Sequence, residues 1–404
     1  MGLIVQKFGG TSVADADKIK SSAAKVIKAH LDGNRVIVIV SAMGKTTNGL
    51  IDMAYAICDN PDSRELDMLI STGEQISISL MAMALHSLGY PAISLTGGQV
   101  GIETDSSHTK ARIVNISTGK IEKELENGNI VIIAGFQGID INHNITTLGR
   151  GGSDTTAVAI AAKMGADLCE IYTDVDGIYT TDPRIVPNAK KLKKISYDEI
   201  LELASLGAQV MHPRSIEFAK KYNVPIYVRS SLNNSTGTLI CKEVPEMENV
   251  FVSGATVSKD DAKITIRKIP DKPGRAASIF HEIAENNINV DMIIQNTSEQ
   301  GLADVTFTVP KSDLKKAIKT TGEIAIKIEA GEVITDSKIA KLSIVGIGMR
   351  NHTGIAEKMF MALANEKINI QMISTSEIKV SCIIDEDNAE TALRAVHKTF
   401  ELDK

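Results

Sequence analysis

Eight residues recur in the same order at a constant offset of eighty, and no other feature of the chain restricts its fold so tightly. Gly274, Ala276, Phe280, Ala284, Ile288, Asn289, Met292 and Ile293 return as Gly354, Ala356, Phe360, Ala364, Ile368, Asn369, Met372 and Ile373. Each copy reads as a strand (over 264–269 and 342–347), a loop with glycine, an amphipathic helix, a second strand and a shorter final unit. Two ferredoxin-like modules in tandem satisfy that pattern. Such a pair is either a duplicated fold without a ligand of its own or, beside an enzyme, a sensor of small molecules.

The preceding ~240 residues, read with the length prior for domains, follow another rule. Apolar runs at Val36–Val40, Ile130–Ala134, Glu170–Tyr172 and Ile226–Val228 alternate with helical stretches. That order predicts one large α/β domain with a mainly parallel sheet covered by helices. Each run ends in small or polar residues: Ser41-Ala42-Met43-Gly44, Gly135-Phe136, Thr173-Asp174 and Arg229-Ser230-Ser231. Open α/β sheets bind ligands beyond the carboxyl ends of their strands, so chemistry is expected there. Ser235-Thr236-Gly237 and Val244-Pro245-Glu246 bracket the boundary with the repeat.

Composition narrows the partners. The chain has no Trp, 4% aromatic residues and a net charge of −6, which argues against base stacking and against nucleic acid. Cys58, Cys169, Cys241 and Cys382 lie far apart with no C-x-x-C, as expected of reduced thiols in a cytoplasmic protein. No signal-peptide pattern opens the chain, and no apolar run looks long enough to span a membrane. None of the eight histidines falls at a zinc-ligand spacing. Asp174-Val175-Asp176-Gly177 lacks the remaining ligands of a calcium loop.

Four stretches stand out. Lys7-Phe8-Gly9-Gly10-Thr11-Ser12 follows the short strand Leu3-Ile4-Val5 and precedes helical sequence, capped by Ser12 or Asp15. Glycines let backbone N–H groups approach a phosphate, a helix N-terminus adds positive potential, and Lys7 adds a full charge. A bare K-x-G-G is more often an ordinary βα turn. Leu148-Gly149-Arg150-Gly151-Gly152-Ser153-Asp154-Thr155-Thr156 is a second anion-type turn opening a helix, where Arg150 can grip a carboxylate. Ser71-Thr72-Gly73-Glu74 also starts a helix, and Glu74 standing alone is a favourable helix-dipole charge. Thr173 to Arg184 looks like a loop that wraps a nucleotide.

Together, Lys7–Ser12, Ser41–Gly44, Ser71–Glu74, Gly149–Thr156 and Thr173–Tyr179 strongly resemble the aspartate kinase family, across essentially the whole chain and in the expected order. The duplicated tail, with Asp271-Lys272-Pro273-Gly274, looks like that family's pair of ACT domains. The resemblance implies an αβα amino-acid-kinase domain over 1–243, a first ACT domain over 264–338 and a second over 339–404, completed by 249–263. It implies transfer from Mg-ATP to L-aspartate, giving 4-phospho-L-aspartate, the first step toward lysine, threonine and methionine. Magnesium comes with the nucleotide, and no dedicated protein metal site is expected.

By the same resemblance, Lys7, Asp154 and Asp174 are catalytic. Ser41, Thr47, Glu74, Arg150, Ser153 and Asp154 form the aspartate pocket, with Glu74 orienting Lys7. Lys7, Phe8, Gly9, Gly10, Thr173, Asp174, Tyr179, Asp182, Arg184, Gln209 and Val210 hold the nucleotide. Gln209 departs from the lysine that many relatives carry there, and Asn48 stands near where they more often have an acid. Asp271, Gly274, Asn289, Gln295, Asn296, Asn369 and Ile370 surround an effector, lysine and/or threonine. Asn289 and Asn369 are equally turn residues at the start of strands. The ACT pair implies a homodimer or tetramer; Met247 just precedes the repeat, and some relatives make a separate regulatory subunit from an internal start. Two other readings compete: a kinase of glutamate, acetylglutamate or a nucleotide on the same fold, and an amino-acid sensor with an inactive kinase domain.

Overall fold

Five of the six residues of Arg35–Val40 and all five of Ile130–Ala134 are buried, the pattern of strands covered on both faces. In the computed structural model, which describes residues 2–206, 211–242, 252–297 and 301–404, they sit inside an eight-stranded sheet. Its order is Lys194–Ser196, Thr238–Cys241, Ile226–Ser230, Leu168–Thr173, Leu3–Phe8, Arg35–Val40, Ile130–Ala134 and Ala92–Leu95. Neighbours are parallel except Thr238–Cys241 against Ile226–Ser230.

Helices close both faces. Ala16–Leu31 and Thr72–Ser87 cover one, where Val26, Val36, Val38, Met81, Leu85 and Ile132 share a core. Gly152–Met164 crosses the other, over the strands that begin at Leu3, Arg35 and Leu168. A small sheet (Ile113–Ile116, Ile102–Thr104, Gln137–Ile139, Ile145–Thr147) completes this αβα unit. The contiguous helical stretch Ser63–Ser87 is, against expectation, long and apolar enough to cross a membrane by length and composition. Half of its apolar window is buried inside the unit. Ser, Gly and Gln interrupt that stretch, so it does not read as one apolar run.

Among the described residues, the first unit comprises residues up to 179 with 191–205 and 211–242, and the second comprises 180–190, 206 and 252–404. Two antiparallel four-stranded sheets build the second. One is ordered Ile293–Thr297, Leu302–Pro310, Asp261–Pro270 and Val333–Asp336. The other is ordered Met372–Thr375, Lys379–Asp385, Ile339–Val345 and Gly254–Ser258. The repeat is visible in the backbone: Gly274 and Gly354, at φ +93° and +87°, precede the helices Arg275–Glu285 and Ile355–Asn365. Such angles favour glycine.

The edge position that Val333–Asp336 fills in the first sheet is filled in the second by Gly254–Ser258, from upstream of the first module. The strand expected over 342–347 is displaced to Ile339–Val345, and Ile347 opens a 3₁₀ turn. Lys341, which looks like a break, lies inside the strand because Asp261 and Asp291 neutralise it at 2.9 and 2.5 Å. The strand expected over 264–269 runs Asp261–Pro270, with an irregular register between Ile266 and Ile269, where Lys268 has φ +53°.

Candidate active site

Leu3–Phe8 is flanked on both sides by parallel strands, so the turn that follows it lies at the middle of the sheet's carboxyl edge. Strand alternation sends Phe8 into the core beneath Ala16–Leu31 and Lys7 to the face of Gly152–Met164. Lys7 is 9% exposed. Its Nζ lies 2.5 Å from Asp154 Oδ1, which has no aligned hydrogen-bond donor. This is a close charge contact rather than a shaped hydrogen bond. Asp154 stands in the first turn of Gly152–Met164, where a helix favours negative charge.

Gly10 sits against the neighbouring turn. A Cβ there would be 2.8 Å from Ala42 O, and Gly44 N donates to Gly10 O at 2.9 Å. Gly9 N donates to Tyr172 O at 3.2 Å. Three strand ends are thereby joined around the Lys7 turn. The turn continues as a 3₁₀ segment, Gly10–Val13, and only then as the helix Ala16–Leu31. Asp15 caps that helix by accepting from Lys18 N, and Ser12 does not.

Glu74, in the first turn of Thr72–Ser87, is 3% exposed. Its Oε1 accepts from Ala42 N at 3.0 Å, and Oε2 is buried without a partner. Burial pushes its carboxyl up to about 7, against the pull of the Ala42 N–H. The expectation that Glu74 orients Lys7 is corrected, because the carboxylate at Lys7 belongs to Asp154. Ser41 and Thr47 are half-buried, the first at the end of Arg35–Val40 and the second in the helix Thr46–Ile57. Ser153 is buried, and a Cβ on Gly135 would lie 2.6 Å from its Oγ. That glycine lets the helix start approach the sheet edge.

Arg150 is exposed between Gly149 and Gly151, at φ +75° and +72°. It makes no hydrogen bond or ion pair with another described residue. Thr173 Oγ1 donates to Asp174 Oδ1 at 3.1 Å, and Tyr179 OH donates to Asp176 Oδ1 at 2.8 Å. Lys191 pairs with Asp176 at 3.3 Å, opposite the bridge between Tyr179 and Lys191 that closes this loop. Asp182 and Arg184 pair with each other at 2.7 Å and belong to the second unit. Gln209 and Val210 lie outside the described residues. Among the described residues no three His, Cys, Asp or Glu converge as metal ligands.

In the second unit, Asp271, Gly274 and Gln295 line one cavity of about 410 Å³ with Lys272 and Arg275. That volume is within the range of small-molecule sites, and its charges of both signs suit a zwitterion. Asn289, Asn296, Asn369 and Ile370 do not line it. Asn289 and Asn369 are exposed, Asn296 pairs in register with Asp304, and Ile370 packs against the second module's core.

Two features escape a reading of motifs. Asp67, fully buried, accepts from Thr147 Oγ1 at 2.5 Å and from Thr109 N at 3.0 Å, and contacts His108 Nδ1 at 2.8 Å. Its partners lie forty to eighty residues away, so no local spacing announces them. Segment 180–190 is held by the second unit: Thr180 Oγ1 donates to Leu402 O at 2.9 Å and lies 3.1 Å from His397 Nε2.

A model of the amino acid kinase family matches residues 2–230, and ACT domain models match 264–325 and 342–400. The chain is 54% identical over 404 residues to the aspartate kinase of Pseudomonas putida, covering 100% of this chain and 98% of that one. The crystal structure of E. coli aspartokinase III in complex with aspartate and ADP is similar at a TM-score of 0.81 and 26% identity, covering 98% of this chain and 99% of that one. The same enzyme in complex with lysine and aspartate gives 0.77 and 26%, with the same coverage.

Proposed function

Since the chain belongs to the aspartate kinases of the amino acid kinase family, we propose that it transfers the γ-phosphoryl of Mg-ATP to the side-chain carboxylate of L-aspartate. The product is 4-phospho-L-aspartate, at the head of lysine, threonine and methionine synthesis. The observation that carries this reading is the 2.5 Å Lys7–Asp154 contact beside the glycine turn, where three strand ends meet.

The acceptor needs no general base, because an aspartate side chain with a reference pKa of about 3.9 is ionised at neutral pH. Phosphoryl transfer then depends on alignment and charge neutralisation. Lys7 bridges the transferring phosphoryl and its leaving oxygen, with Gly9 and Gly10 leaving room for the phosphates. Asp154 holds the ammonium in place until the more highly charged nucleotide arrives. Arg150 takes the acceptor's α-carboxylate, and Glu74 Oε2 takes its α-ammonium. Ser41, Thr47 and Ser153 complete the pocket. Thr173, Asp174 and Tyr179 of the first unit are assigned to the nucleotide, and magnesium would supply charge neutralisation there.

The role of Glu74 has a pH signature. Folded Glu74 keeps its proton up to about pH 7, whereas the group ordinarily loses it near 4.5. Its contribution to stability is therefore full below 4.5 and falls as pH rises to about 7. The acceptor's ammonium offsets that loss. For aspartate, kcat/KM is expected to rise about tenfold per unit below pH ~7 and level above it. Glu74→Gln should abolish that limb and raise KM about 10- to 100-fold. An unchanged limb in Glu74→Gln would take Glu74 out of the pocket.

Feedback is assigned to the cavity at Asp271. The lysine complex of E. coli aspartokinase III makes lysine the first effector to try, followed by threonine and the two together. Asp271 would receive the effector's ammonium, and Lys272 or Arg275 its carboxylate. Gln295 lies on Ile293–Thr297, an edge strand with Ile293 half exposed, and open edges invite pairing with another chain. That supports a homodimer or higher oligomer joined through this module. Asp271→Ala should leave uninhibited kcat unchanged and raise the half-inhibitory effector concentration about tenfold or more. Superimposable inhibition curves would move the effector site elsewhere.

A further inference from the structure

We infer that Arg214 is a positioning residue for the acceptor: its guanidinium fork locks the turn that presents Arg150. This rests on the reading of Arg150 as the carboxylate-binding group. Arg214 follows Pro213 at the start of the helix Pro213–Tyr222. Its Nη1 donates to Leu148 O and its Nη2 to Ala111 O, each at 2.8 Å. Leu148 is the last residue before the Gly149–Gly151 turn. Ala111 lies on the neighbouring segment, whose N–H donates to Thr147 O at 2.9 Å. One planar fork therefore ties together the two segments that define where the turn begins.

The turn has one closing bond of its own, from Gly152 N to Gly149 O at 2.9 Å, and that bond does not fix where the turn begins. Gly149 and Gly151 have left-handed backbones, and glycine provides little conformational restraint. Arg150 has no partner among the described residues to fix its direction. The far end is set by His212, two residues before Arg214. A Cβ on Gly151 would lie 2.3 Å from His212 Cβ, so the turn is pressed onto the same helix start. Asp67 secures the other flank through Thr147 and Thr109. Among the described residues no carboxylate lies within ion-pair distance of Arg214. Its bonds go to neutral carbonyls, and its charge adds to the positive potential that an incoming carboxylate meets.

A group that only positions Arg150 acts alike on bound aspartate and on the transition state, so its loss should appear in KM for aspartate rather than in kcat. The Lys7 turn, which faces the nucleotide, hangs on different strands. Arg214→Gln and Arg214→Met should each raise KM for aspartate about 10- to 100-fold, with kcat and KM for Mg-ATP within about threefold of the parent. Arg214→Lys keeps the charge but loses the fork, and should recover only part. In combination with Arg150→Ala the effects should be far from additive, because the fork has nothing left to position.

Steady-state kinetics in both substrates, with a thermal melt of each variant, decide the matter. If Arg150→Ala raises KM for aspartate and the Arg214 variants leave it unchanged, the positioning role is overturned while the Arg150 reading stands. If Arg150→Ala itself leaves that KM unchanged, the Arg150 reading falls. Equal damage to both substrates' KM, or additive effects in the double variant, would make Arg214 a general structural residue. Should the Met variant fail to fold, the Lys variant carries the same comparison.

Discussion

Lys7→Ala is expected to lower kcat about 10³-fold or more while the protein remains folded. The magnitude follows from what a single preorganised donor contributes to an oxyanion-like transition state, about 3–4 kcal/mol. Lys7 contributes a full charge in a site where it is only 11% exposed as a side chain, so solvent does little to replace it. The fold should tolerate the loss. Lys7 Cβ remains on a strand bonded along both edges, and the stranded Asp154 keeps the favourable field of its own helix N-terminus. Lys7→Arg should not restore turnover, because a planar fork cannot occupy the place of a point charge wedged against Asp154. Turnover near the parent level in Lys7→Ala, with unchanged melting, would remove Lys7 from the chemistry.

The largest effect on stability is expected at Lys341. It is 5% exposed on Ile339–Val345, all seven of whose residues are buried. Its Nζ lies 2.9 Å from Asp261 and 2.5 Å from Asp291. Beside it, Ile339, Met372 and Ile383 of the second module meet Met292 and Ile294 of the first. Burial works against the ammonium, but Asp291 and Asp261 together overcome it and raise its pKa above 10.5. Stability from this group is therefore complete below pH 10.5 and lost only as pH climbs through the raised value.

Lys341→Ala leaves two carboxylates facing each other without their cation, which should cost about 3–5 kcal/mol. The lower part of that range applies, since Asp291 is 45% exposed as a side chain and water can reach it. Lys341→Met with Asp261→Asn and Asp291→Asn should be close to neutral, because the unpaired charges go with the cation. Calorimetry of the full-length variants checks both. A melting temperature for Lys341→Ala equal to the parent's would mean that the triad holds nothing together.

The difference between these two lysines explains what the sequence could disclose. Lys7 belongs to a local pattern of strand, glycines and helix, and each part is read from its neighbours. The strand runs, the two glycine turns and the eighty-residue repeat are legible for the same reason. Lys341 looks like an interruption in an apolar strand, because its two aspartates stand 50 and 80 residues upstream. Gly254–Ser258 joins a sheet whose other strands begin at Ile339, a pairing no window of sequence contains. Arg214 belongs to none of these patterns, and nothing in its spacing points to Leu148 or Ala111. Asn289 and Asn369 are prominent in the repeat because they hold equivalent places between helix and strand, and neither lines the cavity at Asp271. Contacts made between distant segments are what local spacing leaves out.

The most direct test of the central claim is the rate of ADP release from Mg-ATP with L-aspartate as acceptor, run beside L-glutamate and repeated with added lysine and threonine. Turnover that requires aspartate, is absent with glutamate and falls when one or both effectors are added is the predicted result. No turnover with aspartate, from a protein that is folded and binds amino acids, would contradict it and leave a sensor built on a kinase fold.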